Sequence, residues 1–385
     1  MTDVLVIGGG LAGWRAAQSA VRAGCSVTLV ANGCGNSPEI HALNCPVHPD
    51  DSVGLYVEDT LRSGHGTNDR ALVETLCRGA VALKDEFPFD RNPDGSYLLL
   101  QPLGSSVPRC VSIDHAIGAY ALRECQRELA GKVELVKGRV ATLCRKESFV
   151  VRTEAGGEML SRAVVLATGG WCGKYDFSTN PAYLRGDGIT LAQSLGAAVR
   201  DMDAVQYEPT VALKPLRLRG VPVITTMLYE GATFRNADGE EFLKDCHVNK
   251  DVMSKAILAE IEAGRGVDGG VLYDATGMDP DVLGGRYGAT VARYAAADVD
   301  IFREPMLVAP APHTSLGGVV IDPACCVLDT NGAPIAGLFA AGEVTGGLHG
   351  LNRLGGNAGT ETLVFGKIAG ESAAAFVLSS TERNV

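Results

Sequence analysis

The sequence predicts an α/β fold in which one domain with a parallel sheet is discontinuous and is interrupted by a smaller α+β domain. Three observations predict it. The chain opens with a strand–helix–strand pattern around a glycine cluster. Charges and turn residues become frequent after about residue 203, and apolar, glycine-rich sequence returns after residue 307. We therefore assign residues 1–205 and 308–385 to the first domain and residues 206–307 to the inserted one.

The opening thirty or so residues are the element on which this prediction depends. Residues 4–7 read as an apolar strand, and Gly8, Gly10 and Gly13 follow at the spacing G-x-G-x-x-G before a helical stretch and a second strand at 26–30. The first glycine permits a tight turn, the second lets the backbone approach a pyrophosphate, and the third lets the helix touch the strand. The helix N-terminus offers unpaired N–H groups to phosphates. The context predicts a Rossmann-like dinucleotide-binding unit.

The end of the second strand departs from the usual pattern of such units. Many of them carry an Asp or Glu there, which binds the ribose hydroxyls. Here the strand runs into Ala31, Asn32 and Gly33. Asn32 can still form a hydrogen bond with a ribose, although without a charge.

Length and composition limit the class of protein. A chain of 385 residues suggests two domains, and 48 glycines suit close backbone approach to a large cofactor. The net charge of −11 argues against nucleic acid or an anionic membrane surface as a partner. No apolar run approaches about 18 residues, so no integral membrane segment is expected. No basic region precedes the first strand, so we expect no signal peptide and a cytoplasmic protein.

The eleven cysteines are scattered and form no C-x-x-C pair. This spacing argues against covalent haem, a ferredoxin-type cluster and a standard zinc site, so we expect no metal ion within the chain. An odd number of cysteines in a globular chain of this size suggests reduced thiols in a cytosol.

Four stretches together resemble the flavoprotein family of succinate dehydrogenase, fumarate reductase and L-aspartate oxidase. They are the opening strand–helix–strand unit, ATGG at 167–170, TNPAYLRGDGITLAQSLGAAVRDMDAVQYEPT at 179–210, and HTSLGG at 313–318 with GLFAAGEVTGGLHGLNRLGGNAGTETLVFGKIAG at 337–370. The resemblance covers nearly the whole chain, and the last block is highly specific. It implies a Rossmann-like FAD-binding domain of the glutathione-reductase type, interrupted by an α+β capping domain.

The resemblance also implies FAD as the cofactor. Members with covalent flavin carry a His in a short S-H-T-like stretch, whereas here the loop at 36–44 contains His41 out of register, so we expect non-covalent FAD. The residues expected at the cofactor are Gly8, Gly10, Gly13, Asn32, Thr168, Gly169, Asp187, Glu343, Arg353, Gly356 and Asn357.

The residue chemistry of the last block agrees with this. Glu343 ends a strand and can bind a ribityl or ribose hydroxyl. Gly355, Gly356 and Asn357 open the final helix, whose N-terminal dipole would face the N1/O2 edge of the flavin and stabilise the anionic reduced ring.

The resemblance implies a substrate site that this sequence keeps only in part. His313 and Arg353 match the His and Arg that hold a substrate carboxylate on the FAD-binding domain, a role that suits an Arg fork and a His donor. Thr225 matches a Thr of the capping domain. Glu208, however, stands where the family usually has a carboxylate-binding His, and Lys250 stands where it has the Arg that donates a proton.

These two departures change the expected chemistry. A carboxylate in place of His removes one attraction for a dicarboxylate and adds a repulsion, and it suits an amine, a hydroxyl or a cationic group instead. Lys250 can act as a general acid but lacks the planar fork of Arg. We expect Lys250 to project toward the substrate face of the flavin. The alternative interpretation is that Glu208 and Lys250 are ordinary solvated charges.

Three functions follow as hypotheses. The first is an FAD-dependent oxidoreductase that exchanges a hydride between flavin N5 and a small carboxylate, as succinate dehydrogenase and fumarate reductase do, with an external electron-transfer partner. The second is an amino-acid oxidase of the L-aspartate oxidase kind. The third is a flavoprotein electron-transfer subunit that passes electrons to an iron–sulfur partner, with a remodelled substrate site.

Overall fold

The computed structural model describes residues 1–223, 225–245, 248–279, 281, 288 and 291–382. The chain forms two compact units. Unit 1 comprises Met1–Lys174, Pro181–Val205 and Ser315–Val385, and unit 2 comprises Tyr175–Asn180 and Gln206–Thr314.

The described strands are, in chain order, β1 (Thr2–Ile7), β2 (Val27–Ala31), β3 (Leu43–Asn44), β4 (Cys110–Val111), β5 (Val133–Lys137), β6 (Val140–Arg145), β7 (Phe149–Thr153), β8 (Glu158–Leu166), β9 (Val199–Arg200), β10 (Val205–Lys214), β11 (Thr233–Arg235), β12 (Val271–Asp274), β13 (Met306–Ser315), β14 (Gly318–Val319), β15 (Cys326–Leu328) and β16 (Pro334–Ala340). The described α-helices are α1 (Leu11–Arg22), α2 (Val53–Ser63), α3 (Arg70–Ala80), α4 (Leu83–Glu86), α5 (Ile117–Leu129), α6 (Asp187–Gln193), α7 (Lys250–Glu262) and α8 (Asn357–Glu382).

Unit 1 is built on a largely parallel sheet with the strand order β15-β16-β8-β1-β2-β5. Strands β16, β8, β1, β2 and β5 pair in parallel, whereas β15 and the β6–β7 hairpin pair antiparallel. Val4 lies opposite both Val27 and Ala163, and all three are buried because helices or loops cover both faces of a parallel sheet. The predicted α/β fold class is confirmed.

Helix α8 completes unit 1 by packing on α1. Two glycines allow the close approach, since a Cβ on Gly366 would lie 2.7 Å from the Ala12 carbonyl oxygen and one on Gly370 would lie 2.2 Å from that of Ala16. In the part of the chain that the structure describes, Asn357–Ser379 is the one stretch whose length and apolar composition match a membrane span, and half of its most apolar window is buried inside the protein. Its apolar character is therefore accounted for by this packing.

Unit 2 contains a four-stranded sheet with the order β10-β13-β12-β11, together with helix α7. Strands β11, β12 and β13 pair antiparallel. Its separate core includes Phe234 and Tyr273 in edge-to-face contact, and Met253 and Ile257 from the buried face of α7. The unit has the α+β composition expected for the inserted domain.

The second boundary of unit 2 differs from the expected one at residue 307. Strand β13 runs without interruption from Met306 to Ser315, and the segment Tyr175–Asn180 is bonded to it through the Ser178 hydroxyl, 3.0 Å from the Pro312 carbonyl oxygen. His313, which was expected on the FAD-binding domain, therefore lies in unit 2. The sequence did not show that the strand extends beyond the inserted segment.

Candidate functional site

The glycine turn between β1 and α1 is held by backbone contacts. Gly8 has φ +126°, and a Cβ there would lie 2.0 Å from the Ala167 carbonyl oxygen. A Cβ on Gly13 would lie 2.0 Å from the carbonyl oxygen of Gly8, which is the expected close approach of helix and strand. Gly10 differs because its nearest neighbour would be the Ser37 side chain, at 3.1 Å. Of these three glycines, Gly10 is therefore the one whose nearest neighbour is a side-chain atom rather than a backbone atom.

Two residues that the sequence analysis missed complete this turn. The Ser37 hydroxyl accepts a hydrogen bond of 2.7 Å from the Leu11 amide, at the N-terminus of α1. The Tyr183 hydroxyl accepts one of 2.9 Å from the Gly35 amide, in the loop that follows β2 and begins with the exposed Asn32. Ser37 belongs to no quoted motif, and Tyr183 lies within the stretch at 179–210 but was not singled out there.

Thr168 and Gly169 follow the end of β8. Gly169 has φ +74°, which favours glycine, and the Thr168 hydroxyl oxygen is buried without a hydrogen-bond partner among the described residues. A buried hydroxyl of this kind has capacity to bind a polar cofactor group. Asp187, at the start of α6, is already paired with Arg139 at 2.6 Å. Asp187 would bind a cofactor only if its carboxylate contacted Arg139 and the cofactor at the same time.

Glu343 follows β16 and is fixed by Ser315. Its Oε1 accepts hydrogen bonds of 2.9 Å from both the Ser315 amide and the Ser315 hydroxyl. Burial raises the pKa of the Glu343 carboxyl to about 7, although the two bonds from Ser315 act in the opposite direction. Near neutral pH the residue can therefore donate a hydrogen bond as well as accept one.

The start of α8 is a buried polar cluster. The Asn357 Oδ1 accepts hydrogen bonds of 2.6 Å from both Asn44 Nδ2 and the Tyr56 hydroxyl. Gly356 has φ +82°, and a Cβ there would lie 2.6 Å from Asn44 Oδ1. Arg353, four residues before the helix, is buried with 7% of its surface exposed. Asn44 and Tyr56 come from distant sequence and were not expected at the site.

A second buried pair lies in the same loop and helix. His349 Nε2 lies 2.9 Å from Glu361 Oε2, and both residues are buried. The sequence analysis did not single out either residue, since a twelve-residue separation matches no motif. The pair joins the loop that carries Arg353 to the first turns of α8.

These groups meet at one edge of the sheet. The glycine turn, the loop with Asn32, the Thr168–Gly169 turn and Glu343 follow β1, β2, β8 and β16, which are parallel neighbours. The carboxyl ends of parallel strands are where nucleotides bind in open α/β sheets. The glycine turn and the unpartnered Thr168 hydroxyl fit a dinucleotide cofactor at this edge.

Unit 2 brings together four of the expected substrate-site residues, which we call the Glu208 cluster: Glu208, Thr225, Lys250 and His313. The Glu208 carboxylate, on β10, accepts hydrogen bonds from the Lys250 ammonium at the start of α7 and, at 2.9 Å, from the Thr225 hydroxyl. His313 Nε2, on the neighbouring β13, lies 3.9 Å from Glu208 Oε2. The side chain of Thr226, which stands where the resemblance leads one to expect an acidic residue, lies outside the described residues.

The electrostatics of the cluster favour an ionised Glu208. Burial alone would raise its pKa, but the Lys250 ammonium, His313 and the Thr225 hydroxyl together hold the pKa of this carboxyl below its usual range. Only 6% of the Glu208 side chain and 19% of the Lys250 side chain are exposed. The interpretation of these residues as ordinary solvated charges is therefore wrong.

The imidazole of His313 has a fixed orientation. Its Nδ1 lies 2.8 Å from the Thr179 hydroxyl, and its carbonyl oxygen accepts a hydrogen bond from Asn180 Nδ2 at 2.7 Å. The Asn180 amide also reaches the Thr179 hydroxyl, at 3.2 Å. The segment Tyr175–Asn180 thus orients the one His of the cluster.

Within the described ranges, no group of three His, Cys, Asp or Glu side chains is placed to hold a metal ion.

A parallel sheet with a glycine turn, a buried carboxyl after a neighbouring strand and a polar helix start fits a flavoprotein oxidoreductase. The sequence profile of the family described as FAD binding domain matches residues 3–358. The chain belongs to this family, among the flavoproteins related to succinate dehydrogenase, fumarate reductase and L-aspartate oxidase. FAD as the cofactor and the oxidoreductase class are thereby confirmed.

Three known proteins illustrate the relationship. The chain is 34% identical to a fumarate reductase (CoM/CoB) subunit of Methanothermobacter marburgensis, over 100% of the chain and 74% of that protein. It is 34% identical to the L-aspartate oxidase of Caulobacter vibrioides, over 96% of the chain and 76% of that protein. FrdA of the E. coli quinol fumarate reductase matches the fold with a TM-score of 0.87 and 25% identity, over 98% of the chain and 71% of that chain.

Proposed function

We propose that this protein exchanges a hydride between non-covalently bound FAD and a small carboxylate substrate, and that a separate redox partner supplies or removes the electrons. The observation that carries the proposal is Arg353, a buried guanidinium in the loop before α8, in a chain whose relatives include a fumarate reductase subunit. FAD, when bound, supplies the hydride chemistry.

The cofactor would be held by the carboxyl edge of the unit 1 sheet. The backbone at Gly10 and the N-terminus of α1 suit the pyrophosphate, and Asn32 suits a ribose hydroxyl. Glu343 suits a ribityl hydroxyl because its carboxyl can be a donor or an acceptor near neutral pH. Thr168 has an unused buried hydroxyl for a further polar group.

Arg353 would bind the substrate carboxylate. A guanidinium presents two parallel N–H donors that match the two oxygens of a carboxylate. Because only 7% of the Arg353 surface is exposed, water competes little with the substrate carboxylate for the guanidinium. The burial makes the charge pair stronger than one at a surface.

Lys250 would supply the proton that accompanies the hydride. Its ammonium donates a hydrogen bond to the Glu208 carboxylate. Glu208 is itself anchored by Thr225. The pair therefore places a hydrogen-bond donor on the first turn of α7, and His313 and Thr225 lie beside Glu208.

An external redox partner and a cytoplasmic location are part of the proposal. The fumarate reductase relative is named as one subunit of an enzyme, which supports assembly with another protein. All ten cysteines among the described residues are free thiols, which suits a reducing compartment; Cys246 lies outside those residues.

A second candidate function is an L-aspartate-oxidase-like amino-acid oxidase. The 34% identity to the Caulobacter vibrioides enzyme favours it. The contact between Glu208 and Lys250 argues against it, because the carboxylate that was to receive a substrate ammonium already binds one. A third candidate, an electron-transfer subunit with an altered substrate site, is supported by the departures at these same two residues.

Anaerobic mixing of the reduced holoprotein with α,β-unsaturated carboxylates tests the proposal. We expect the oxidised flavin spectrum to return with at least one unsaturated acid, while the matched saturated acids, which cannot accept a hydride, leave the flavin reduced. Reoxidation by oxygen alone, together with flavin reduction by L-aspartate, would support the oxidase instead. Reoxidation only by an iron–sulfur protein would support the electron-transfer subunit.

A further inference from the structure

In unit 1 the segment that carries Arg353 is closed by a contact between two side chains. His349 Nε2 lies 2.9 Å from Glu361 Oε2, although Glu361 follows His349 by 12 residues in the chain. Arg353 lies between these two residues in sequence. Because fixing both ends of a loop restricts the positions open to the residues inside it, the contact limits where the Arg353 backbone can lie.

The contact between His349 and Glu361 is buried, with 6% of the His349 side chain and 5% of the Glu361 side chain exposed. The other ring nitrogen of His349, Nδ1, is buried without a hydrogen-bond partner in the part of the chain that the structure describes. Among the described residues, Glu361 is therefore the one polar anchor of this imidazole. Breaking the contact would leave two buried polar groups unsatisfied, which is costly.

Glu361 does not depend on the loop for its position. It belongs to the first turns of α8, which packs on α1. Its Oε1 lies 3.4 Å from the Thr345 hydroxyl, which donates a hydrogen bond of 2.9 Å to the Gly342 carbonyl oxygen. The helix therefore holds the carboxyl group in place, and the imidazole of His349 docks against it.

Other contacts hold the backbone just before Arg353. Asn68 Nδ2 donates to the Leu348 carbonyl oxygen at 2.9 Å, and Asn352 Nδ2 donates to the Ser63 hydroxyl at 3.0 Å. These contacts tie the segment to the end of α2 and the turn that follows it, whereas the contact between His349 and Glu361 ties it to α8. Arg353 thus lies in a segment with two separate anchors.

We propose that His349 and Glu361 are positioning residues for Arg353, and that their contact holds the guanidinium in the orientation in which it binds the substrate carboxylate. The inference rests on the proposed function, which assigns that carboxylate to Arg353. Two parallel N–H bonds from a guanidinium to a carboxylate require a defined geometry, so a small displacement of the loop weakens both of them.

Two amide substitutions separate the two nitrogens of the imidazole. Glutamine places its amide near the position of Nε2 and can donate to Glu361, whereas asparagine is too short to reach Glu361 and places its amide near Nδ1. The measurement is the second-order rate at which fumarate or crotonate reoxidises the reduced holoprotein under anaerobic conditions. We expect His349→Gln to retain most of the rate and His349→Asn to react at least about tenfold more slowly, with equal FAD content.

A second background tests whether the effect passes through Arg353. Arg353→Lys keeps the positive charge but removes the fork, so the orientation of the loop should matter less. In this background we expect His349→Asn to slow the reaction by less than about threefold. A loss of the same factor in both backgrounds would overturn the inference, because the pair would then act on the fold or on the cofactor.

The remaining results are also decisive. Equal rates in the glutamine and asparagine variants, a slower reaction in His349→Gln than in His349→Asn, or loss of FAD from a folded asparagine variant would overturn the inference alone. If His349→Asn does not fold, Glu361→Asp provides the same test, because it shortens the other partner, and the same loss of rate is expected. If neither acid reoxidises the wild-type flavin, the assignment of a carboxylate to Arg353 fails, and the inference fails with it.

Discussion

The two units of this protein differ in how closely their functional residues follow the family pattern. In unit 1 the glycine turn, Glu343, Arg353 and the start of α8 all stand where the resemblance expects them. In unit 2 Thr225 and His313 are kept, but Glu208 and Lys250 replace the usual His and Arg.

The physical reasons for this difference lie in the contacts. A Cβ on Gly8 or on Gly13 would lie 2.0 Å from a backbone carbonyl oxygen, so only glycine fits at these two positions. The cofactor edge, which is the carboxyl edge of the unit 1 sheet, therefore has little freedom to change in sequence. Glu208 and Lys250 form an ion pair, so the charge that each residue brings to the site is balanced by the charge of the other. The cofactor edge therefore keeps the family pattern, and the two departures lie in one coupled pair of unit 2.

Gly8→Ala should have the largest effect. The new Cβ would lie 2.0 Å from a carbonyl oxygen at a position with φ +126°, so the turn would have to move. We expect loss of FAD binding or of the fold, at a cost above about 4 kcal/mol. Bound flavin per protein and the thermal midpoint measure it. Gly54→Ala, in α2 with no neighbour closer than 3.9 Å, is the control and should be neutral or stabilising.

Arg353→Ala should abolish turnover while leaving FAD bound. The loss of a buried charge pair with the substrate carboxylate should cost on the order of 2–5 kcal/mol in transition-state binding. Steady-state kinetics and flavin content measure the two effects. Normal turnover in a folded variant would show that the carboxylate is bound elsewhere, and would favour the electron-transfer subunit.

Lys250→Met should slow the substrate step by roughly 10²–10⁴-fold, the usual contribution of a general acid. Flavin reduction by an external donor should stay fast, which rapid-mixing absorbance can separate. Lys250→Arg keeps the charge and should retain part of the activity, although the fork differs. A Lys250→Met variant with an unchanged substrate step would assign the proton to another group.

Glu343→Gln should change how stability depends on pH in the flavin-free protein. Since the folded-state pKa of about 7 lies above the ordinary value of 4.5, the folded protein binds an extra proton in this window, and its stability falls as pH rises from about 4.5 to 7. The Glu343→Gln variant does not lose stability in this way. At pH 8 its free energy of unfolding should therefore exceed that of the wild-type protein by roughly 1–3 kcal/mol. Denaturant unfolding at pH 5 and pH 8 measures it. Parallel pH profiles would contradict a raised pKa.

The sequence alone was informative where function depends on local backbone. Gly8, Gly10 and Gly13 act within one turn, so their spacing between an apolar strand and a helical stretch predicted the strand–helix–strand unit and a dinucleotide cofactor. Glu343 and Asn357 were found through motifs that are continuous in sequence.

Contacts between distant segments could not be predicted in this way. Glu208 and Lys250 lie 42 residues apart, and their ion pair depends on how β10 and α7 pack. Ser37 and Tyr56 act through side chains that no spacing rule connects to the turns they support. His313 was expected on the FAD-binding domain because the length of β13 is not encoded in a local motif.

Restoring the usual family residues in unit 2 tests the central claim most directly. The measurement is the rate at which fumarate reoxidises the reduced flavin, under anaerobic conditions, in the wild-type protein and in Glu208→His/Lys250→Arg. If unit 1 is intact and unit 2 determines the substrate, FAD content should be unchanged and the fumarate rate should rise by at least about tenfold, because a repulsive charge is replaced by attractive ones. A folded, flavin-loaded double variant with no faster reaction would contradict the account.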